Sequence, residues 1–231
     1  MNHQSVEFRQ ALGSFATGVT VVTAAGADGA MAGVTANSFT SVSLEPPLIL
    51  WCLANTSDSL AVFREAAYFA VNILASGQVR LSDHFARRQE DKFSEVRFRR
   101  GRGGAPLLEG CVTWLQCRTA AQHDMGDHRV FVGEVVGFET SWEEALLFHR
   151  GSYGISLPLP GDDEPEGGWG AAAEIMPLAF WRGGMFDIEA RAGIVGYTSA
   201  SSGADRYDRR RLLRLRRSRP KRPCFSESGR G

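Results

Sequence analysis

The stretch from Met31 to Ser59, MAGVTANSFTSVSLEPPLILWCLANTSDS, holds the densest set of groups able to do chemistry. Gly33, Val34, Thr35 and Ala36 run into the polar residues Asn37, Ser38, Thr40, Ser41 and Ser43, which predicts a strand entering a hydrogen-bonding loop. Pro46 and Pro47 then stop pairing, because proline has no amide hydrogen to give a sheet. Leu48 to Leu53 is an uninterrupted apolar run, too short for a typical helix, and predicts a strand buried on both faces. Asn55, Thr56, Ser57 and Ser59 follow at a predicted helix start, where free amides and the helix dipole favour an anion such as phosphate. Together these features fit a site for a flat, polar-edged ring with a phosphorylated tail. Ordinary Ser/Thr turns and a helix cap use the same residue types, so the residues alone leave both readings open.

The elements that must position these groups are short. Phe8, Ala11, Leu12 and Phe15 recur at helical spacing and predict an amphipathic helix capped by Ser5 and ended by Gly18. GVTVVT and AMAGVTA read as strands around an Asp28-Gly29 hairpin turn. Leu60, Val62, Phe63 and Ala66 suit a short helix, Tyr68 to Leu74 a strand, and Gln78 to Arg87 a helix that aligns Leu81 with Phe85. Arg97 to Gly104 reads as a charged, Gly-rich loop before Ala105 to Leu108 re-enters the fold. Cys111 to Thr119, Arg129 to Phe138 and Ala145 to His149 read as three further strands. A series of short strands with turn signals and no β-α-β rhythm predicts a mainly β fold: an antiparallel barrel, closed or partly open, with a few short flanking helices.

Length and composition bound the rest. A chain of 231 residues buries a sizeable core without staples, and 43% hydrophobic with 23% charged residues is ordinary for a globular protein. No apolar run approaches the roughly 20 residues that cross a bilayer, and MNHQSVEF lacks a signal-peptide core, so a cytoplasmic protein is expected. Cys52, Cys111, Cys117 and Cys224 show no C-x-x-C spacing; Cys111 and Cys117 lie too far apart along a predicted strand to bridge, which fits a reducing compartment. After residues 1–154 the character changes to an acidic Pro/Gly linker over 155–173 and then an extension over 174–231. From 205 onward eleven Lys/Arg face three Asp/Glu, giving this tail +8 and the rest of the chain −8. No fold or aromatic stacking pattern accompanies that charge, so a disordered, solvated tail is expected rather than a nucleic-acid site.

Seven stretches carry a resemblance: FRQALGSFATGVTVVT (8–23), GVTANSFTSVSLEPPL (33–48), FAVNIL (69–74), LSDHFA (81–86), DKF (91–93), GDH (126–128) and FHRGSYG (148–154). In this order they resemble the flavin reductase family, whose fold is the FMN-binding split barrel, a Greek-key antiparallel barrel. The resemblance covers residues 5 to 154. It implies an NAD(P)H:flavin oxidoreductase that moves hydride from NADH or NADPH to FMN or FAD, supplies the reduced flavin to a partner monooxygenase, and works as a homodimer. Such chemistry belongs to the cofactors and asks the protein mainly for positioning.

Carried over residue by residue, the resemblance places Val34, Thr35, Ala36, Asn37, Ser38 and Ser41 along the flavin ring. It places Asn55, Ser57 and Ser59 near the phosphate, and Phe85, Arg87 and Lys92 where a helix closes over the flavin's tail. His128 of Gly126-Asp127-His128 is implied as the catalytic residue on the nicotinamide side, with Arg150 and Tyr153 flanking that pocket. No metal is expected, since His123, Asp124, Asp127 and His128 crowd into one loop with no completing ligands. The alternative to a reductase is a flavin- or haem-binding module of the same fold without turnover.

Overall fold

Asp28 and Gly29 turn the chain as their types require: Gly29 takes φ +85°, and the Asp28 carboxylate accepts the Ala30 amide at 3.0 Å. In the computed structural model, which describes residues 3–141 and 143–157, the flanking strands β2 (Thr20–Ala25) and β3 (Met31–Ala36) pair antiparallel after α1 (His3–Leu12) and the two-residue β1 (Thr17–Gly18). There follow β4 (Thr40–Leu44), β5 (Pro47–Ala54), α2 (Leu60–Glu65), β6 (Tyr68–Ile73), α3 (Val79–Ala86), β7 (Phe98–Arg100) and β8 (Pro106–Leu108). The long hairpin β9 (Thr113–Met125) and β10 (His128–Thr140) and the small hairpin β11 (Leu147–His149) and β12 (Ser152–Gly154) complete the described chain. Beyond residue 157, the linker and extension lie outside the described residues.

Seven strands form one antiparallel sheet in the order β3-β2-β6-β9-β10-β5-β4. Its two edge strands, β3 and β4, are consecutive in sequence, joined only by Asn37, Ser38 and Phe39. A flat seven-stranded sheet would set its edges about 29 Å apart, whereas this connection reaches about 14 Å. The sheet is therefore rolled, with a seam where β3 hands over to β4.

Inside the roll, Trp51 is fully buried, stacked on Phe131 at a centroid distance of 4.7 Å and met edge-on by Phe63 at 4.9 Å. Ile49, Leu53, Phe69 and Val71 complete this cluster. A second cluster, with Val21, Leu74, Phe85, Phe93 and Leu108, fixes α3 against the other side of the sheet. Asn72 is the buried polar tie: its amide donates to the Val21 carbonyl at 2.9 Å and accepts the Leu108 amide at 2.8 Å.

Several expectations are corrected. Leu48 to Leu53 is not buried on both faces; Ile49, Trp51 and Leu53 point into the core while Leu48, Leu50 and Cys52 stay half-exposed, because side chains alternate along a strand and a rolled sheet has one inner and one outer face. The prolines do not end pairing but make a hairpin turn, with Leu44 opposite Pro47. Residues 97–104 are not all loop, since β7 pairs with β8 and a 3₁₀ turn, Arg102–Gly104, joins them. The strands expected at 111–119 and 129–138 shift and lengthen into thirteen-residue partners, and the one expected at 145–149 begins at Leu147. Ser5 lies within α1 rather than capping it, and the helix ends at Leu12 near Gly13 instead of at Gly18. The α1 residues Phe8 and Leu12 are 64% and 60% exposed, as is Phe15 just beyond it at 77%, so this chain does not bury that apolar face.

Trp51→Ala removes the side chain that holds β5, β6 and β10 together. It should lower the unfolding free energy in urea by about 3–5 kcal/mol; a loss below about 1 kcal/mol would show that the core does not depend on this stack.

Candidate functional site

The seam opens into a cavity of about 480 Å³, walled by β3 and the loop after it, the end of β5, the loop into α2, the end of α3 with its following loop, and His128. Edge strands leave alternate backbone groups without a sheet partner. On β3 the outward Gly33 carbonyl is taken by Lys92, and ladder alternation points the Thr35 amide and carbonyl the same way, towards the cavity. Gly33 itself permits the close approach of α3: a Cβ there would lie 2.5 Å from the Phe85 ring.

Of the residues singled out in the sequence, the cavity brings together Val34, Thr35, Ala36, Asn37, Ser38, Ser57, Ser59, Phe85, Arg87, Lys92 and His128. Many of the hydroxyls are already engaged. Thr35 Oγ1 donates to the Ser82 carbonyl at 2.6 Å and ties β3 to α3. Ser38 Oγ accepts the Cys52 amide at 2.9 Å and donates to the Cys52 carbonyl at 3.2 Å, standing in for a β4 residue where that strand has not yet begun. The amides expected to be free before α2 are largely used as well: Ser59 N donates to Ser57 Oγ at 3.3 Å and Leu60 N to the Ser57 carbonyl at 3.0 Å. Among the described residues that line the cavity, the side chains left without a hydrogen-bond or ionic partner are the Asn37 amide, the Thr56 and Ser59 hydroxyls and the Arg87 guanidinium.

Four residues fall outside the cavity. Ser41 lies in β4 opposite Ile49, exposed. Asn55 clips the β9–β10 turn, its amide donating to the Asp127 carbonyl at 2.9 Å and its side chain to the Gly126 carbonyl at 3.3 Å. Arg150 and Gly151, with φ +49° and +80°, are the two central residues of the tight β11–β12 turn, which needs left-handed backbone at both. Tyr153 donates its hydroxyl to the Asp83 carboxylate at 2.8 Å and lies 2.9 Å from Ser82 Oγ, so it anchors α3 from behind. Thr56, read with the helix-start cluster, lines the cavity too, and Cys52, Leu53, Ala54, Asp58, Ala86, Arg88 and Gln89 line it without having been marked as site residues by the sequence. The pair Arg87-Arg88 at a helix end was the available signal; the approach of Arg88 to Asp58, thirty residues earlier, was not legible.

Lys92 closes the far end. Its ammonium donates to the Phe85 carbonyl at 2.9 Å and the Gly33 carbonyl at 3.0 Å, pinning the loop after α3 onto β3 with one N–H to spare. Burial holds its pKa below the usual lysine value, partly offset by the Asp58 carboxylate. His84 holds the same loop through Nε2, 2.8 Å from the Lys92 carbonyl.

Gly126, at φ +64°, starts the two-residue turn that delivers His128 as the first residue of β10. His128 Nδ1 lies 2.6 Å from the Asp127 carboxylate, which leaves Nε2 for the cavity. The hydrogen bond and charge of His128 hold the Asp127 carboxyl below its ordinary value. This favourable contact is present above the ordinary carboxylate range and is lost as pH falls through the lowered value. His128→Ala should move the Asp127 titration upward, back towards that of an ordinary carboxylate, when followed by NMR; an unchanged titration would contradict the pairing.

Comparison with known proteins gives the family of the chain. The family profile described as Flavin reductase like domain matches residues 12–156. A probable flavin reductase of Rhizobium meliloti (strain 1021) is 46% identical over 145 residues, covering 63% of this chain and 47% of that protein, so the chain spans about half the length of this relative. The FMN reductase (NADH) SmoA of Agrobacterium fabrum is 43% identical over 150 residues, covering 65% of this chain and 85% of SmoA. Among solved structures, the Streptomyces globisporus C-1027 NADH:FAD oxidoreductase SgcE6, in complex with NAD and FAD fragments, superposes with a TM-score of 0.63 at 38% identity, over 69% of this chain and 95% of SgcE6. Over its first two thirds, this chain is a member of the flavin reductase like family, with that family's split-barrel fold.

Proposed function

We propose that the domain over residues 1–154 is an NAD(P)H-dependent flavin reductase that passes hydride from NADH or NADPH to FMN or FAD and hands the reduced flavin to a partner monooxygenase. The observation that carries the reading is the seam cavity of a family member, in which eleven of the fifteen residues implied by the resemblance converge. The donor set fits a flavin. The edge backbone at Thr35 and the Asn37 amide offer donors and acceptors to a ring edge, while Arg87 and the spare Lys92 N–H offer positive charge to a phosphate. A bound flavin supplies the hydride-accepting chemistry. The chain's part is to hold the ring against β3, to keep α3 closed through Lys92 and Thr35, and to present His128 Nε2 at the open side of the cavity.

Few charged groups are left to grip a ligand, which suits a flavin that must leave after reduction. The exposed apolar side chains of Phe8, Leu12 and Phe15 support a homodimer that covers them. No helix among the described residues is long and apolar enough to cross a membrane, and the three described cysteines are free, which supports a cytoplasmic setting.

Steady-state oxidation of NADH and NADPH, with and without added FMN or FAD, tests the reading. Turnover that requires added flavin is expected, with His128→Ala lowering it about tenfold or more while flavin still binds. A folded protein that binds flavin or haem yet oxidises neither nicotinamide would instead be a binding module.

A further inference from the structure

A second recess of about 470 Å³ adjoins the seam cavity, and the two share Asp58, Ser59, Arg88, Gln89 and Lys92. Between them stands an ion pair, Arg88 Nε to Asp58 Oδ2 at 3.5 Å, with Arg88 Nη2 also donating to the Thr56 carbonyl at 3.0 Å. Both side chains are about three-quarters exposed, at 75% and 72%, and an ion pair so well solvated holds little against a competing ligand. Beyond this partition the recess changes character. Met31, Ala32 and Val62 give it an apolar floor, and Glu90 joins Asp58 in setting carboxylates at its rim.

We propose that this recess takes the adenylate half of FAD and that the Asp58–Arg88 pair is the partition that parts to admit it; the proposal rests on the flavin reading of the seam cavity. The chemistry matches in sequence along such a ligand. An adenine offers flat apolar faces to Met31 and Val62, and ribose hydroxyls donate to carboxylates such as Asp58 and Glu90. A pyrophosphate joining the two halves falls where the recesses meet, at Arg88 and Lys92, and planar guanidinium groups pair well with phosphate oxygens. FMN fills only the first cavity and leaves the partition shut. The flavin this chain prefers is therefore FAD.

Titration calorimetry on the full chain with FMN, FAD and AMP tests this by binding alone. FAD should bind about tenfold or more tightly than FMN; AMP should compete with FAD yet bind alongside FMN. Glu90→Ala and Val62→Ala, at positions lining only the second recess, should each weaken FAD several-fold and leave FMN unchanged, with thermal unfolding confirming a native fold. Equal affinities for the two flavins, or displacement of FMN by AMP, would overturn the proposal while leaving the flavin site intact. So would a Glu90→Ala variant with raised KM for NADH and unaltered FAD affinity, which would give the recess to the reductant. Binding of neither flavin would overturn the flavin reading itself, and this one with it.

Discussion

The structure depends on one short connection. Three residues, Asn37 to Phe39, must carry the chain from one edge of a seven-stranded sheet to the other, and that reach is possible only if the sheet is rolled. The roll puts Trp51, Phe131 and Phe63 inside and leaves a seam where β3 and β5 face each other without pairing. Ser38 bridges that gap with a single hydroxyl that serves both backbone groups of Cys52. The cavity is what the seam leaves over, so fold and site share one cause.

Around the seam, side chains that would serve as ligand contacts in isolation are instead spent on holding walls in place. Thr35 and Lys92 bind α3 and its following loop to β3, and Tyr153 braces α3 from the opposite side through Asp83. Gly33 is the necessary counterpart, because any larger residue would push Phe85 off the strand and open the wall. The groups left for a ligand are edge backbone, one amide, two hydroxyls and a few cations. That balance makes a braced cleft with few groups left to grip a ligand, as the proposed transient flavin requires.

The sequence showed much of this, for physical reasons that also explain where it stopped. Local signals such as Asp28-Gly29, the apolar run 48–53 and the Leu81/Phe85 spacing depend on neighbours in the chain, and the elements they predict are present. The resemblance carried the seam residues, because the motifs around Gly33 and Lys92 lie on the same wall. Residue types in turns were harder to read: Asn55 and Arg150 have side chains suited to ligands, yet backbone geometry and turn contacts account for their positions. Long-range pairings such as Arg88 with Asp58 leave no local trace.

The most direct test of the seam as the flavin site uses Cys52, whose half-exposed thiol lines the cavity. Cys111 and Cys117 are buried, with pKa values pushed up to about 12, and serve as silent controls within the same chain. Thiol labelling at mildly alkaline pH, read at each cysteine by mass spectrometry, should modify Cys52 in the free protein and slow severalfold when flavin is added, while Cys111 and Cys117 stay unmodified throughout. Cys52 labelling at an unchanged rate under saturating flavin would place the flavin elsewhere and contradict the account.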